Sequence, residues 1–329
     1  MAAGSSQPGA RRAAPAHADA PAVASNLMLG PLMLGPGHRY WKDWVVEKIL
    51  FLAALSSVAV TTGIVVILLY ESAPFFHHVS LWNFLTDTMW TPTFPVNPHF
   101  GILPLVAGTV VTTFVALAVA LPVGTMIAIY LSEYAPFALR EVLKPILELL
   151  SAVPTVVYGY FALLFVTPLL QKLLPDLPLQ SMLSAGIVMG IMIIPYVSSL
   201  SEDAMRAVPM LLREGAYALG ANKMITSLRV VYPAALSGIG AAYILGISRA
   251  IGETMIVAIA AGSQPNFTLN PAQPAATITA YIVQVSMGDL PRDGIGYQSI
   301  FAAGLTLFLM TLGFNILGHY LRKRFREAY

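Results

Sequence analysis

The fold is decided by the stretch Ala234-Ala-Leu-Ser-Gly-Ile-Gly-Ala-Ala-Tyr-Ile-Leu-Gly-Ile-Ser-Arg-Ala-Ile-Gly-Glu-Thr-Met-Ile-Val-Ala-Ile-Ala-Ala261. A membrane span needs about 20 apolar residues at roughly 1.5 Å of rise each, and this run is long enough. It also carries two charges, Arg249 and Glu253, spaced one helical turn apart. Insertion scales put an arginine or aspartate at a helix centre at about 2.5–3.5 kcal/mol. Counted from Leu236, Arg249 falls about 20 Å along the helix, near mid-bilayer. Its neighbours Ala241, Ala242, Gly246 and Gly252 are too small to shield a guanidinium from lipid. The stripe is therefore expected to face protein or a watery path.

Five further apolar runs, at 49–70, 102–131, 145–170, 181–202 and 298–321, carry no charge at mid-membrane depth. Together the runs predict an all-α integral membrane fold with six transmembrane helices. Composition agrees: hydrophobic residues are 57% of the 329 and charged residues 10%, where soluble domains carry about 25%. Pro122, Pro154 and Pro195 interrupt three runs, so kinks are expected there. The absence of cysteine excludes disulfides, thiolate metal sites and thiol chemistry.

Residues 1–44 are of a different character. Gly4 to Asn26 is rich in Ala, Pro and Ser with no apolar period, and the near-repeat Leu27–Pro31, Leu32–Pro36 is too short and proline-broken to span. A disordered or surface-associated tail is expected. No apolar core follows Arg11 and Arg12 directly, so the segment does not read as a secretory signal. Residues 45–100 are assigned to the first span and an outer loop, and 101–325 to the remaining spans.

Basic residues set the orientation. With the N-terminus in the cytoplasm, Arg11, Arg12, Arg39, Lys42, Lys48, Arg140, Lys144, Arg206, Arg213, Lys223, Arg229, Arg322, Lys323, Arg324 and Arg326 all fall inside. Lys172 and Arg292 fall outside. This asymmetry predicts both termini in the cytoplasm. The outer loops hold Trp82, Trp90, Phe94, Phe100, Phe267, Tyr281 and Tyr297, which suit an interfacial belt or a surface receiving an external partner. His77, His78 and His99 fit no standard metal spacing, so no metal site is expected.

The segment 203–232 is too polar to cross and too patterned to be a mere connector. Pro209-Met-Leu-Leu-Arg-Glu-Gly-Ala-Tyr-Ala-Leu-Gly220 reads as a short amphipathic helix, with Leu212, Ala216 and Leu219 on one face and Arg213 and Tyr217 on its flank. Gly220 can take the left-handed cap. A second short helix, about Lys223 to Val230, can lead to Pro233 at the first turn of the next span. The segment is either a surface helix resting on the bilayer or a docking element for a cytoplasmic partner. Lys144 and Glu148 are expected to pair, and Glu202, Asp203 and Arg206 to form a solvated helix end.

Glu214-Gly215-Ala216, then Gly220, then Val230-Val231-Tyr232-Pro233 resembles the "EAA" loop of ABC importer permeases, with Gly215, Val230 and Tyr232 replacing Ala, Ile and Leu. Ser248-Arg-Ala-Ile-Gly-Glu-Thr-Met255 and Val153-Pro-Thr-Val-Val-Tyr-Gly159 resemble the PstC-type phosphate permeases, over roughly residues 45–325. The resemblance implies a type I (MetI-like) transmembrane domain in a bacterial inner membrane. Its coupling loop would comprise Arg213, Glu214, Gly215, Ala216, Gly220 and Pro233. The implied partners are a second, PstA-type permease, two PstB-type ATP-binding subunits and a PstS-type extracytoplasmic phosphate-binding protein.

A guanidinium matches phosphate oxygens and keeps its charge. Arg249 on the substrate path with Glu253 competing for it is one reading; a structural pair pinning helices is the other, and the two are compatible. No Gly-Lys pair occurs, so the chain has no P-loop, and no nucleophile–base set stands out. A non-enzymatic permease without cofactor is expected. The alternatives are an ABC permease for molybdate or sulfate, or a secondary transporter or channel that needs no docking loop.

Overall fold

The computed structural model describes residues 36–324 apart from 93, 95, 96, 289, 290, 292 and 293. Most of the expected tail, residues 1–35, lies outside the described residues. In chain order the helices are α1 (Pro36–His78), α2 (Leu81–Thr86), α3 (Leu103–Ile129), α4 (Phe137–Ser151), α5 (Thr155–Phe161), α6 (Thr167–Gln171) and α7 (Met182–Arg206). They continue as α8 (Met210–Ala218), α9 (Lys223–Thr226), α10 (Tyr232–Ala234), α11 (Leu236–Ile251), α12 (Met255–Ala260), α13 (Ile278–Ser286) and α14 (Ile295–Arg324). Wider π-helical turns extend α3 over Tyr130–Tyr134, join α5 to α6 over Ala162–Val166, and join α9 to α10 over Ser227–Val231.

Four stretches are long and apolar enough to cross a membrane unbroken: Asp43–His78, Leu103–Tyr134, Met182–Arg206 and Ile295–Tyr320. Two more candidates are bent pairs. Phe137–Ser151 meets Thr155–Gln171 at 87°, and Lys223–Ala234 meets Leu236–Ile251 at 71°. Of the three span prolines, Pro154 alone coincides with a break; α3 runs on through Pro122 and α7 through Pro195. At Pro154 the missing N–H and the restriction on Val153 both oppose helix.

The run 234–261 is not one helix. It stops at Ile251, passes through Gly252–Thr254 and resumes at Met255. Arg249 therefore lies in the last turn of α11, not at the middle of a continuous span.

The chain divides into two compact units after Thr62. In the first, the described side chains of α1 are exposed apart from half-buried Val45. An apolar helix with so little covered face suits a lipid surround.

The second unit is built around α3 and α7, whose backbones approach closely because small residues line the contact. A Cβ on Gly190 would stand 2.7 Å from the Ala116 carbonyl oxygen, and one on Gly186 would stand 2.7 Å from Val115. Ala120, Met189, Met192, Ile193 and Val197 complete this core with Ala250 and Val257. A separate cluster at one end joins Phe75, Phe84, Trp90, Ile102 and Tyr281. Trp90 and Tyr281 meet edge to face at 5.1 Å and are buried, so they are not belt residues, whereas Trp82 and Phe94 are exposed.

Candidate transport pathway and docking loop

Arg249 projects from the last turn of α11, where the helix dipole favours a cation. Its guanidinium lies over the Tyr196 ring of α7, 4.6 Å from the centroid, and Nη2 stands 3.9 Å from the Met192 sulfur. Its Nε is buried with no hydrogen-bond partner among the described residues. Glu253 is buried, but not against Arg249. Its Oε1 accepts from the Met255 N–H at 3.2 Å, and its backbone carbonyl accepts from the Thr279 hydroxyl at 2.7 Å.

No ion pair within 4.0 Å joins Arg249 to a carboxylate among the described residues. The one-turn spacing brings two side chains together only along an intact helix, and the break at Gly252 separates these two. Tyr196 and Met192 were not legible as partners. The only trace in sequence is a tyrosine directly after Pro195 in an otherwise apolar run.

In the 203–232 segment, α8 ends as its glycine predicts. Gly220 has φ of +82°. The Gly220 N–H donates to the Tyr217 carbonyl at 2.9 Å and the Ala221 N–H to the Ala216 carbonyl at 3.0 Å, a Schellman pair. Asn222 then caps α9, its side-chain oxygen accepting from the Ile225 N–H at 2.9 Å. Pro233 sits in the first turn of α10.

Of the expected apolar face of α8, Leu212 and Leu219 are exposed and Ala216 is half-buried, and it is the flanking Arg213 that is buried. The Arg213 Nη1 donates to the Val208 carbonyl at 2.6 Å and Nη2 to the Met205 carbonyl at 2.9 Å. Nη2 and Nε also reach Glu133, at 3.0 and 3.4 Å. The fork thus ties α8 to the end of α7 and to the turn after α3. Glu214 and Gly215 are exposed, and a Cβ on Gly215 would meet nothing within 4 Å.

Lys144 does not pair with Glu148. It reaches across to Glu202 at 2.7 Å and Asp203 at 2.6 Å. Glu202 is fully buried, with Arg206 and Arg140 at 3.6 and 3.9 Å. The end of α7 is therefore solvated at Asp203 and Arg206, as expected, but not at Glu202, which is buried beneath cations that include two from α4. Separately, His99 Nδ1 stands 3.0 Å from the Asp87 carboxylate in the loop between α2 and α3. Burial pushes Asp87 up, but hydrogen bonds from His99 and the Met89 N–H outweigh it and leave its pKa below the usual value.

Residues 120–327, from within α3 to α14 and hence including the charge cluster, the 203–232 segment and Arg249, match the family described as binding-protein-dependent transport system inner membrane component. The chain belongs to that family.

Among similar curated proteins is the probable ABC transporter permease protein YqgH of Bacillus subtilis, 34% identical over 82% of this chain and 88% of its own. The phosphate transport system permease protein PstC of Mesorhizobium japonicum is 31% identical over 74% of this chain and 79% of its own. PstC of Xylella fastidiosa (strain 9a5c) is 33% identical over 71% and 76%. Among solved structures, a bacterial ABC transporter involved in alginate import covers 88% of this chain and 100% of its own at TM-score 0.60 and 15% identity. The MetNI methionine transporter matches at TM-score 0.51 and 18% identity, over 69% and 95%. At those identities the structures speak for the fold alone. As a binding-protein-dependent inner membrane component, the chain is a transport subunit of the ABC importer permease class and not an enzyme.

Proposed function

We propose that the chain is a PstC-type permease subunit of an ATP-driven phosphate importer. Both termini face the cytoplasm. Residues 45–100 supply the first helix and outer loop, 101–325 the transmembrane domain, and 203–232 the coupling loop. The partners are a PstA-type permease, two PstB-type ATP-binding subunits and a PstS-type binding protein.

The observation that carries this reading is Arg249, a partly buried guanidinium that has, among the described residues, an unpartnered Nε and no carboxylate to neutralise it. An oxyanion offers what it lacks: charge, and acceptors matched to a guanidinium fork. The Tyr196 face holds the side chain by a contact worth about 0.5–2 kcal/mol, weak enough to permit binding and release. Glu253 lies beside the path and shapes it, its carboxylate holding the break that ends α11 next to Arg249.

On the cytoplasmic side, exposed Glu214, Gly215 and Gly220, with half-buried Ala216 between them, meet the ATP-binding subunit. Arg213 holds that segment from behind, and Pro233 sets the start of the chain's return into the membrane.

The test is radiolabelled uptake by the reconstituted assembly, with phosphate against sulfate and molybdate, with and without ATP. Wild type should take up phosphate only with ATP, and Arg249→Gln should abolish uptake while the assembly still forms. Normal phosphate uptake by an assembled Arg249→Gln complex removes the pathway role, and preference for molybdate or sulfate replaces the substrate.

A further inference from the structure

A polar cavity of about 480 Å³ lies beside α8, bordered by Arg140, Arg206, Arg213 and Lys223 together with Ser132 and Glu133. Four cations thus meet one carboxylate at its wall. That carboxylate is already committed, because Glu133 accepts from Arg213 and from the Ser132 hydroxyl.

Arg140 and Arg206 are placed differently. Both lean toward the same oxygen, Glu202 Oε1, at 3.9 and 3.6 Å, yet that buried oxygen receives no hydrogen bond among the described residues. The other Glu202 oxygen is taken by Lys144 at 2.7 Å, and Lys144 also holds Asp203. Lys223 rests its ammonium 5.1 Å over the Tyr134 ring, and among the described residues it has no ion pair. Two guanidinium forks and an ammonium, on α4, α7 and α9, therefore border one cavity with donors to spare.

We infer that this cavity binds a phosphate-class oxyanion between Arg140, Arg206 and Lys223. A carboxylate has two oxygens and is filled by a single fork, whereas tetrahedral phosphate can take donors from three directions. The volume falls within the range of about 300–1,000 Å³ typical of small-ligand sites. The site is separate from Arg249: Arg206 lies ten residues beyond Tyr196, about 15 Å further along α7. It does not depend on the transport reading. The phosphate can be free in solution or carried on a lipid headgroup. In either case an anion there ties α9, and with it the docking segment, to α4 and the end of α7.

The full-length chain in phosphatidylcholine nanodiscs tests this by lysine acetylation read by mass spectrometry, with exposed Lys172 as the reference. Inorganic phosphate should slow Lys223 modification several-fold and leave Lys172 unchanged. Arg140→Gln/Arg206→Gln should remove that protection, and Arg249→Gln should retain it. Arg140→Lys/Arg206→Lys keeps the charge and should protect partially, so the measurement stands even where the glutamine pair folds poorly. Protection by phosphatidic acid nanodiscs without added phosphate supports the site and identifies a headgroup as the source. Lys223 reactivity indifferent to both phosphate and phosphatidic acid overturns the site. So does protection that survives Arg140→Gln/Arg206→Gln, or equal protection by acetate, which would point to a partner's carboxylate.

Discussion

Arg213 and Arg249 are the same side chain in opposite circumstances. Each sits on a short helix beside α7, and each is at least partly removed from solvent. Arg213 directs its fork at a carboxylate and two backbone carbonyls. Arg249 has an aromatic face, a sulfur, and a buried Nε with no partner among the described residues. A buried guanidinium is expensive unless hydrogen-bonded and paired, so the first is framework, and the second is the charge that the proposed transport path would use. Burial alone does not set these two cations apart; the count of their satisfied donors does.

Truncation separates the two arginines most directly. Arg213→Met should destabilise the protein by about 3–5 kcal/mol, because it leaves Glu133 buried beside empty space. The same change at Arg249 should cost less than about 1 kcal/mol while removing transport. Thermal unfolding in detergent, run on both variants, decides; equal losses would erase the distinction.

Next in size is Gly220→Ala, which places a Cβ at φ +82° and should cost about 1–2 kcal/mol. It should loosen the 209–222 segment in hydrogen exchange while leaving the core of α3 and α7 protected. Tyr196→Leu removes the ring beneath Arg249, worth about 0.5–2 kcal/mol. It should raise the KM for uptake several-fold with a smaller change in kcat; an unaltered KM would show that the ring does not position the guanidinium.

The smallest effect concerns Asp87. Its pKa is depressed on folding, so its contribution is present above the ordinary value of 3.8 and is lost as pH falls through the lower folded value. Trp90 fluorescence should report loosening of that loop in strong acid, and Asp87→Asn should flatten the response.

The four unbroken spans were legible because hydropathy over a long window is insensitive to detail. The breaks were legible only in part. Pro154 marked one correctly, yet Pro122 and Pro195 carried the same mark and are passed without interruption, since in each case the neighbouring turns still close the helix. The interruption at Gly252–Thr254 had no proline to announce it, and it undid the expected contact between Arg249 and Glu253.

Local signals fared best: the Gly220 cap depends on backbone geometry within five residues. The burial of Arg213 was hidden because its carboxylate lies 80 residues away, and amphipathic reading assigns the inward face to leucine by default. Glu202 was misjudged for the same reason, its cation arriving from α4.

The 71° bend at Ala235 makes α9–α10 and α11 the two arms of a bell-crank. With the pivot at Ala235 and Arg249 about 20 Å out along one arm, a rocking of only 5° swings the guanidinium by about 2 Å. A small tilt of α9–α10 about that bend would thereby become a stroke at Arg249 large enough to make or break a hydrogen bond, with no helix having to unwind.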